Sequence, residues 1–479
     1  MHDGKQHGIE LDKIPEDIDF LIIPDASSNQ KNEHIILMEK GVSDILVLDH
    51  HLAGEDQLDS PAIIINNQVC DYPNKELSGA GVVFKFIEYC CNKLGLPKTE
   101  ALSFLDLAAV GMIGDMVSLK NLETRYIVSE GLSHLNNPGI QAFVRKQAFS
   151  IGRTEYLTPT DVSFYITPLI NAVIRVGTMD EKETLFRAFI NGNDKEQSTK
   201  RGAKPGDLEV IGDKAARLAA NCKSRQTKAR EKSLNLIDMK IQKEELNDNK
   251  VLIIALNDYE SDQVNPNLTG LIAMEVLAKY KKPTLLMREA DDGVFKGSGR
   301  SDDCSKMAHF KNYLDNTGLV EYAEGHEAAF GCGVKAKNLE RLNNMINSEF
   351  EGINLSDTSY LVDFVFNKPN NDIAEIAEII EKYNYVWGRG IEEPLIAVQG
   401  IINTSKLFVM GADKSSAKIS VNGLDCIKFK DLDFIQEMQK YSLARVDFIG
   451  RLKLNYYNGT ITPQLFIDDY EIKQTTIAF

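Results

Sequence analysis

Residues 44–51 read "DILVLDHH". Ile45, Leu46, Val47 and Leu48 form an unbroken apolar run of strand length, the pattern of a strand buried on both faces in a parallel sheet. The run stops on Asp49, His50 and His51. A carboxylate beside so dry a strand is costly unless it is hydrogen-bonded, paired or bound to a metal. In open parallel sheets, ligands gather beyond the carboxyl ends of the strands. One stretch therefore predicts an architecture and the edge of it on which chemistry sits.

Working outward, "FLIIP" is a strand ending at Asp25, and "NEHIILMEKG" is a short amphipathic helix closed by Gly41. "AIIINN" is a third strand, and "SGAGVVFKFIEYCCNKLG" a helix opened and closed by glycine. "ALSFLDLAAVGMIGDMVSL" is apolar nearly all round, as a buried helix is. This βαβ rhythm predicts a parallel sheet with helices on its faces. Residues 120–245 are mostly helical. A second α/β pattern begins near residue 250 with "KVLIIAL", "GLIAMEVLAKYKKP" and "TLLM". Beyond about 372 a helix, "DIAEIAEIIEKY", precedes short strands, and Asn458-Gly459 between apolar runs marks a hairpin.

At 479 residues the chain has room for roughly three or four domains. No apolar run approaches the roughly 18 residues of a membrane span, so no membrane association is expected. The polar start, "MHDGKQHGIELDKIPEDIDF", does not read as a signal peptide. Seven cysteines without CxxC pairs suit reduced thiols and a cytoplasmic location. A net charge of −16 argues against a protein that coats nucleic acid indiscriminately. Residues 195–243 run the other way, with 13 Lys and Arg against 6 Asp and Glu. The long helix predicted there, "RLAANCKSRQTKAREKSLNLIDMK", is either a solvated face or a phosphate-contacting stripe.

Asp25 ends one strand, Asp49, His50 and His51 end the next, and Asp115 ends the apolar helix. Taken singly, each reads as a turn cap or a surface histidine. Taken together, carboxylate and imidazole at the ends of consecutive elements suit Mn²⁺, and Mg²⁺ or Zn²⁺ less well. Two such ions about 3.5–4 Å apart hydrolyse phosphodiesters, one generating hydroxide and both clamping the phosphate.

These residues resemble the DHH phosphoesterases, and more fully the RecJ type among them, single-stranded-DNA-specific 5′→3′ exonucleases of recombination and repair. "VLDHH" is similar to the family signature, "LIIPDASS" to its strand ending in a metal-bridging Asp, and "LAAVGMIGDMVSL" to its fourth motif. "ITPLINAVIR" resembles the Asn-Ala-Ala-Gly-Arg stretch, with Val173 and Ile174 where Ala and Gly are usual. "KGSGRS" and "EGHEAAFG" resemble the motifs of the DHH-associated domain; alone, the first would read as a hairpin turn with a solvated Arg. "VWGRGIEEPLIAVQG" and "RLKLNYYNGTITPQLFIDDYEI" resemble the family's OB-fold. The resemblance runs from about residue 17 to the C-terminus.

It implies an α/β fold in four parts. These are a parallel-sheet DHH core (1–130), a helical connector with a basic helix (131–245), an α/β DHH-associated nucleic-acid-binding domain (246–352) and an OB-fold-like β domain (353–479). By the same resemblance Asp25 bridges two Mn²⁺ or Mg²⁺ ions, His50 and Asp115 complete one site, His51 faces the scissile phosphate, and Asp49 orients the imidazoles. Arg175, Ser298, Arg300 and His326 grip backbone phosphates, while Gly297, Gly299 and Gly325 let the DNA approach. Tyr456 and Tyr457 are candidate stacking platforms or core residues.

One departure stands out. The family's first motif, an apolar strand followed by a DxDxDG-type cluster, has no counterpart here; "MHDG" (1–4) lacks both the strand and the spacing. The expectations are therefore a RecJ-type exonuclease, one piece of a split exonuclease completed by a separate polypeptide, or a catalytically silent single-stranded-DNA-binding relative. A short-oligonucleotide phosphodiesterase is a further alternative, against which the OB-like region argues. A single-strand-binding protein or a helicase is the kind of further partner such an enzyme would have.

Overall fold

The computed structural model describes residues 8–290, 293–302, 305–355, 358–367, 372–457 and 459–477. The "MHDG" start and Asn458 lie outside them. Two compact units emerge, one built from residues up to Thr167 together with those from Leu361 on, the other from Pro168–Tyr360.

The first unit opens with β1 (Phe20–Pro24), α1 (Lys31–Glu39), β2 (Asp44–Asp49) and β3 (Ile63–Asn66). The strands form a parallel sheet in the order β1-β2-β3, with Ile23 opposite Val47 and Leu48 opposite Ile65. Every residue of β2 after Asp44 is buried, as its apolar run requires. One face packs Ile45 and Val47 against Leu37 of α1, with Ile9 and Val42 closing that core. Toward the other face lie α2 (Gly79–Lys93), N-capped by Ser78, and α3 (Leu105–Gly114). The long apolar stretch is thus interrupted: a short helix, Lys98–Leu102, precedes α3, and the chain turns at Ser103 and Phe104.

The second unit holds α4 (Thr167–Val176) and the 33-residue α5 (Ile211–Lys243), and α5 carries most of the basic segment. Between them, Lys195–Gln197 and Leu208–Val210 pair as a small antiparallel hairpin, in a stretch expected to be mostly helical. Glu209 on that hairpin is buried and accepts from Arg217 of α5 at 2.8 Å, which locks the hairpin to the helix. The sheet that follows comprises β4 (Leu252–Leu256), β5 (Thr284–Glu289), β6 (Val294–Arg300), β7 (Tyr322–His326) and β8 (Ala329–Lys335), with α6 (Thr269–Tyr280) after β4. Its order is β4-β5-β6-β8-β7. "VFKGSGR" is therefore a central strand, which overturns the hairpin-turn alternative.

The first unit resumes with α7 (Asp372–Lys382) and a seven-stranded sheet, whose core holds Phe434, Phe448, Val446 and Leu465. Its longest strands, β9 (Tyr441–Tyr457) and β10 (Thr460–Ile477), pair antiparallel with Tyr457 opposite Thr460. Tyr456 and Tyr457 at the end of β9 are exposed, which removes the core-packing alternative for them. Among the described residues no helix is long and apolar enough to cross a membrane.

The glycines of β6 answer to the sheet itself. A Cβ on Gly297 would lie 2.0 Å from the Leu286 carbonyl oxygen of β5, and one on Gly299 would lie 2.3 Å from the Phe330 ring of β8. Gly297→Val is expected to cost about 1–3 kcal/mol through overpacking. A lowered urea midpoint with unchanged m-value would register it; an unchanged midpoint would show that the sheet does not need this glycine.

Candidate metal centre and phosphate grip

Asp25 follows β1 directly, in left-handed backbone geometry (φ 61°), and its amide donates to the Leu48 carbonyl at 2.8 Å. Such geometry is uncommon for a side-chain-bearing residue and tends to persist where the surroundings enforce it. It turns the carboxylate over the N-terminus of α2, so close that a Cβ on Gly79 would meet Asp25 Oδ1 at 2.2 Å. There the helix dipole favours negative charge.

His50 enters from the end of β2 and Asp115 from the end of α3. His50 Nε2 lies 3.2 Å from Asp25 Oδ1 and 3.4 Å from Asp115 Oδ2, with the imidazole largely buried and both carboxylates open to solvent. Neighbouring oxygen ligands of an octahedral ion with 2.0–2.1 Å bonds are separated by about 3 Å. One imidazole and two carboxylates at this spacing fit Mn²⁺ or Mg²⁺ chemistry. His51 offers a further donor: ligand atoms of Asp25, His50 and His51 lie within 4.8 Å of one another.

Asp49 organises the turn. It is 1% exposed, yet its Oδ1 accepts from the His50 amide (2.7 Å), the His51 amide (3.2 Å) and His51 Nδ1 (2.7 Å), and its Oδ2 from the Ser28 amide (3.1 Å). Burial pushes its pKa up, but the hydrogen bonds from His51, Ser28 and His50 outweigh burial and hold it well below the usual carboxylate range. The hydrogen bond to Asp49 in turn raises the His51 pKa against its own burial. With Nδ1–H committed to Asp49, His51 presents Nε2 outward.

Two residues that support this geometry escaped the sequence reading. Asn66, fully buried at the end of β3, donates to Ser28 Oγ and to the His51 carbonyl, both at 2.8 Å. Buried His34 of α1 lies between Ser27 Oγ (3.0 Å) and Ser60 Oγ (2.8 Å), steadying a loop whose Ser27 is also left-handed (φ 85°). The signal for Asn66 was its place, since a third strand ends there on a polar residue as the first two do. His34 gave none, because on a short amphipathic helix it reads as surface. Beyond Asp115, the Leu119 amide donates to the Arg389 carbonyl at 2.8 Å, so the "WGRG" segment steadies the loop that follows this carboxylate.

A second assembly lies in the other unit. Arg300 ends β6 and extends over the first turn of α6, where a Cβ on Gly270 would meet its Nη2 at 2.3 Å. Ser298 Oγ lies 3.0 Å from Thr269 Oγ1 of the same turn. Burial lowers the pKa of Arg300 and so does nearby Arg175; burial lowers that of Arg175 as well. Among the described residues neither guanidinium meets a carboxylate. Two half-buried cations beside a helix N-terminus, without an acid, suit an anion. His326 lies on the same sheet, since Ala329 of β8 is opposite Arg300 on one side and His326 on the other. His326 and Gly325 are exposed, and Gly325 adopts φ 125°, a conformation that favours glycine. The structure thus brings Asp25, Asp49, His50, His51 and Asp115 together, and Arg175, Ser298 and Arg300 together, with His326 two strands along.

The family model described as the RecJ OB domain matches residues 370–469. The putative SPbeta prophage-derived single-strand DNA-specific exonuclease YorK of Bacillus subtilis is 36% identical over 99% of this chain and 82% of its own length. The single-stranded-DNA-specific exonuclease RecJ of the same organism is 25% identical over 95% of this chain, which spans 54% of that protein. The crystal structure of RecJ in complex with Mn²⁺ from Thermus thermophilus superposes with a TM-score of 0.69 at 21% identity, covering 96% of this chain and 62% of the other.

Asn66→Ala strips donors from Ser28 and the His51 carbonyl inside a dry network. A loss of about 1–3 kcal/mol is expected for the groups left unpaired, read as a lowered melting temperature. A melting curve matching the parent's would remove Asn66 from the support of the centre.

Proposed function

The chain belongs to the RecJ family of single-strand-specific DNA exonucleases, and from that membership we propose that it hydrolyses single-stranded DNA from the 5′ end in recombination or repair. The observation that carries this reading is the convergence of Asp25, His50 and Asp115 at 3.2–3.4 Å on the carboxyl edge of a parallel sheet. Bound Mn²⁺ or Mg²⁺ would supply an activated hydroxide and neutralise charge on the phosphate. Asp25, His50 and Asp115 are the residues that would hold such an ion. Asp49 keeps His51 in one tautomer with Nε2 outward, positioned to donate to the phosphate being cut or to the leaving oxygen. Arg175, Ser298, Arg300 and His326 bind backbone phosphates, and Tyr456 and Tyr457 offer faces for bases to stack on. The residue spans 1–130, 131–245, 246–352 and 353–479 correspond to core, connector, nucleic-acid-binding domain and OB-fold in this reading. The reduced thiols suit a cytoplasmic setting, and a single-strand-binding protein or helicase would deliver the substrate.

One feature favours a completing segment. Among the described residues β1 pairs with β2 alone, and its Phe20 and Ile22 are about half exposed (52% and 49%). Strands of parallel sheets are normally covered on both faces, and an open apolar edge invites another strand. A parallel strand ending in carboxylates, on this polypeptide or a separate one, would cover these residues and bring acids beside Asp25. In the alternative reading, a chain without that strand binds single strands and does not cut them.

The test is digestion of 5′-labelled single-stranded DNA with added Mn²⁺, comparing the chain with His50→Ala and His51→Ala. His50→Ala is expected to abolish cutting, and His51→Ala to slow it by roughly 10²–10⁴-fold. Equal rates in all three would refute hydrolysis at this centre. Salt-dependent binding without cutting would identify the silent form. Arg300→Gln is expected to weaken single-strand binding by about 1.5–3 kcal/mol, as for a lost hydrogen bond to a charged group; titrations by fluorescence anisotropy that superpose on the parent's would place the grip elsewhere.

A further inference from the structure

Helix α5 carries Lys223, Gln226 and Arg230 at spacings of three and four residues, which puts them on one stripe. Lys223 Nζ donates to Gln226 Oε1 at 3.1 Å. A lysine ammonium only donates, so the amide oxygen must face it and the amide NH₂ must face away. Gln226 is 2% exposed, and among the described residues its buried Nε2 has no acceptor. Arg230 repeats the pattern: Nη1 meets Glu275 at 2.8 Å, while its buried Nε has no acceptor among the described residues.

Buried donors without acceptors are costly and call for a partner. Here the shortage is of acceptors alone. Burial, Arg230 and Arg175 together lower the pKa of Lys223, with Glu275 opposing them, so the stripe and the Arg175 guanidinium share one electrostatic neighbourhood. A ligand that only accepts hydrogen bonds and carries negative charge would satisfy every group.

We propose that Lys223 and Gln226 form a second phosphate subsite, which takes the backbone phosphate next to the one held by Arg175, Ser298 and Arg300. It rests on the reading of that grip as a DNA site. Arg230, neutralised by Glu275, borders the subsite and holds the stripe in place. The basic segment of the sequence thereby divides into two roles. Arg217 and Arg225 close ion pairs with Glu209 and Glu181, while Lys223 and Gln226 retain donor capacity for a ligand.

The test uses the full chain with fluorescent 5′-phosphorylated dT12 in EDTA, titrated at a series of KCl concentrations, with Lys223→Gln, Gln226→Met and Arg300→Gln. Lys223→Gln is expected to bind about tenfold more weakly at low salt, and its plot of log K against log[KCl] to be shallower by about 0.7, the value for one lost phosphate contact on a single strand. Gln226→Met keeps the volume and removes the stranded donor, so it is expected to weaken binding severalfold while holding or raising the melting temperature. A purely structural glutamine would leave affinity unmoved. Parent-like affinity and slope in both α5 variants, with loss in Arg300→Gln, overturn the second subsite alone. Parent-like behaviour in all three overturns the grip as well.

Discussion

The carboxylate of Asp49 is the constraint on which the candidate centre depends. It sits 1% exposed at the end of the buried apolar run Ile45–Leu48. Ionised, it would be intolerable there without donors; four converge on it, from His50, His51 and Ser28. Because those donors come from two loops, meeting the demand of one charge fastens the end of β2 to the turn after β1. Asn66 adds the end of β3 through Ser28 and the His51 carbonyl. The carboxyl edge is thus tied by polar bonds inside an apolar body, where water cannot compete for them. The left-handed backbone at Asp25 and Ser27 persists within that framework.

The two units carry polar clusters of opposite chemical character. The parallel-sheet unit presents acceptors and imidazoles, a donor set that needs a hard cation before it can touch a phosphate. The other unit presents guanidinium, ammonium, hydroxyl and helix N-terminus, which need an anion directly. Each alone is electrostatically incomplete, the first in positive charge and the second in negative. The net charge of −16 conceals this, since Arg175 and Arg300 sit half-buried within an acidic chain.

How much of this was legible varies with the physical signal. The apolar run before Asp49, the helix stops at Gly41 and before Asp115, and the antiparallel pairing of β9 with β10 follow from local rules of burial and turn geometry, and the structure keeps them. "KGSGRS" shows the limit. A Gly-Ser-Gly run has the composition of a turn, yet it lies mid-sheet because the Phe330 ring and the β5 backbone occupy the space that side chains would need. Glycine there records contacts between strands distant in sequence, which composition cannot convey. The hairpin before α5 was invisible for a similar reason, since its short strands are held by Glu209 reaching Arg217 on the following helix.

The sequence by itself determined the parallel sheet, the edge on which acids and imidazoles gather, and the residue types at that edge, because strand burial and the cost of a buried charge are local properties. Tertiary structure alone decided that His50 stands between Asp25 and Asp115, that His34 and Asn66 steady the loops behind them, and that Gln226 is buried with an unsatisfied donor. Those are distances between side chains brought together by packing, and no spacing along the chain encodes them.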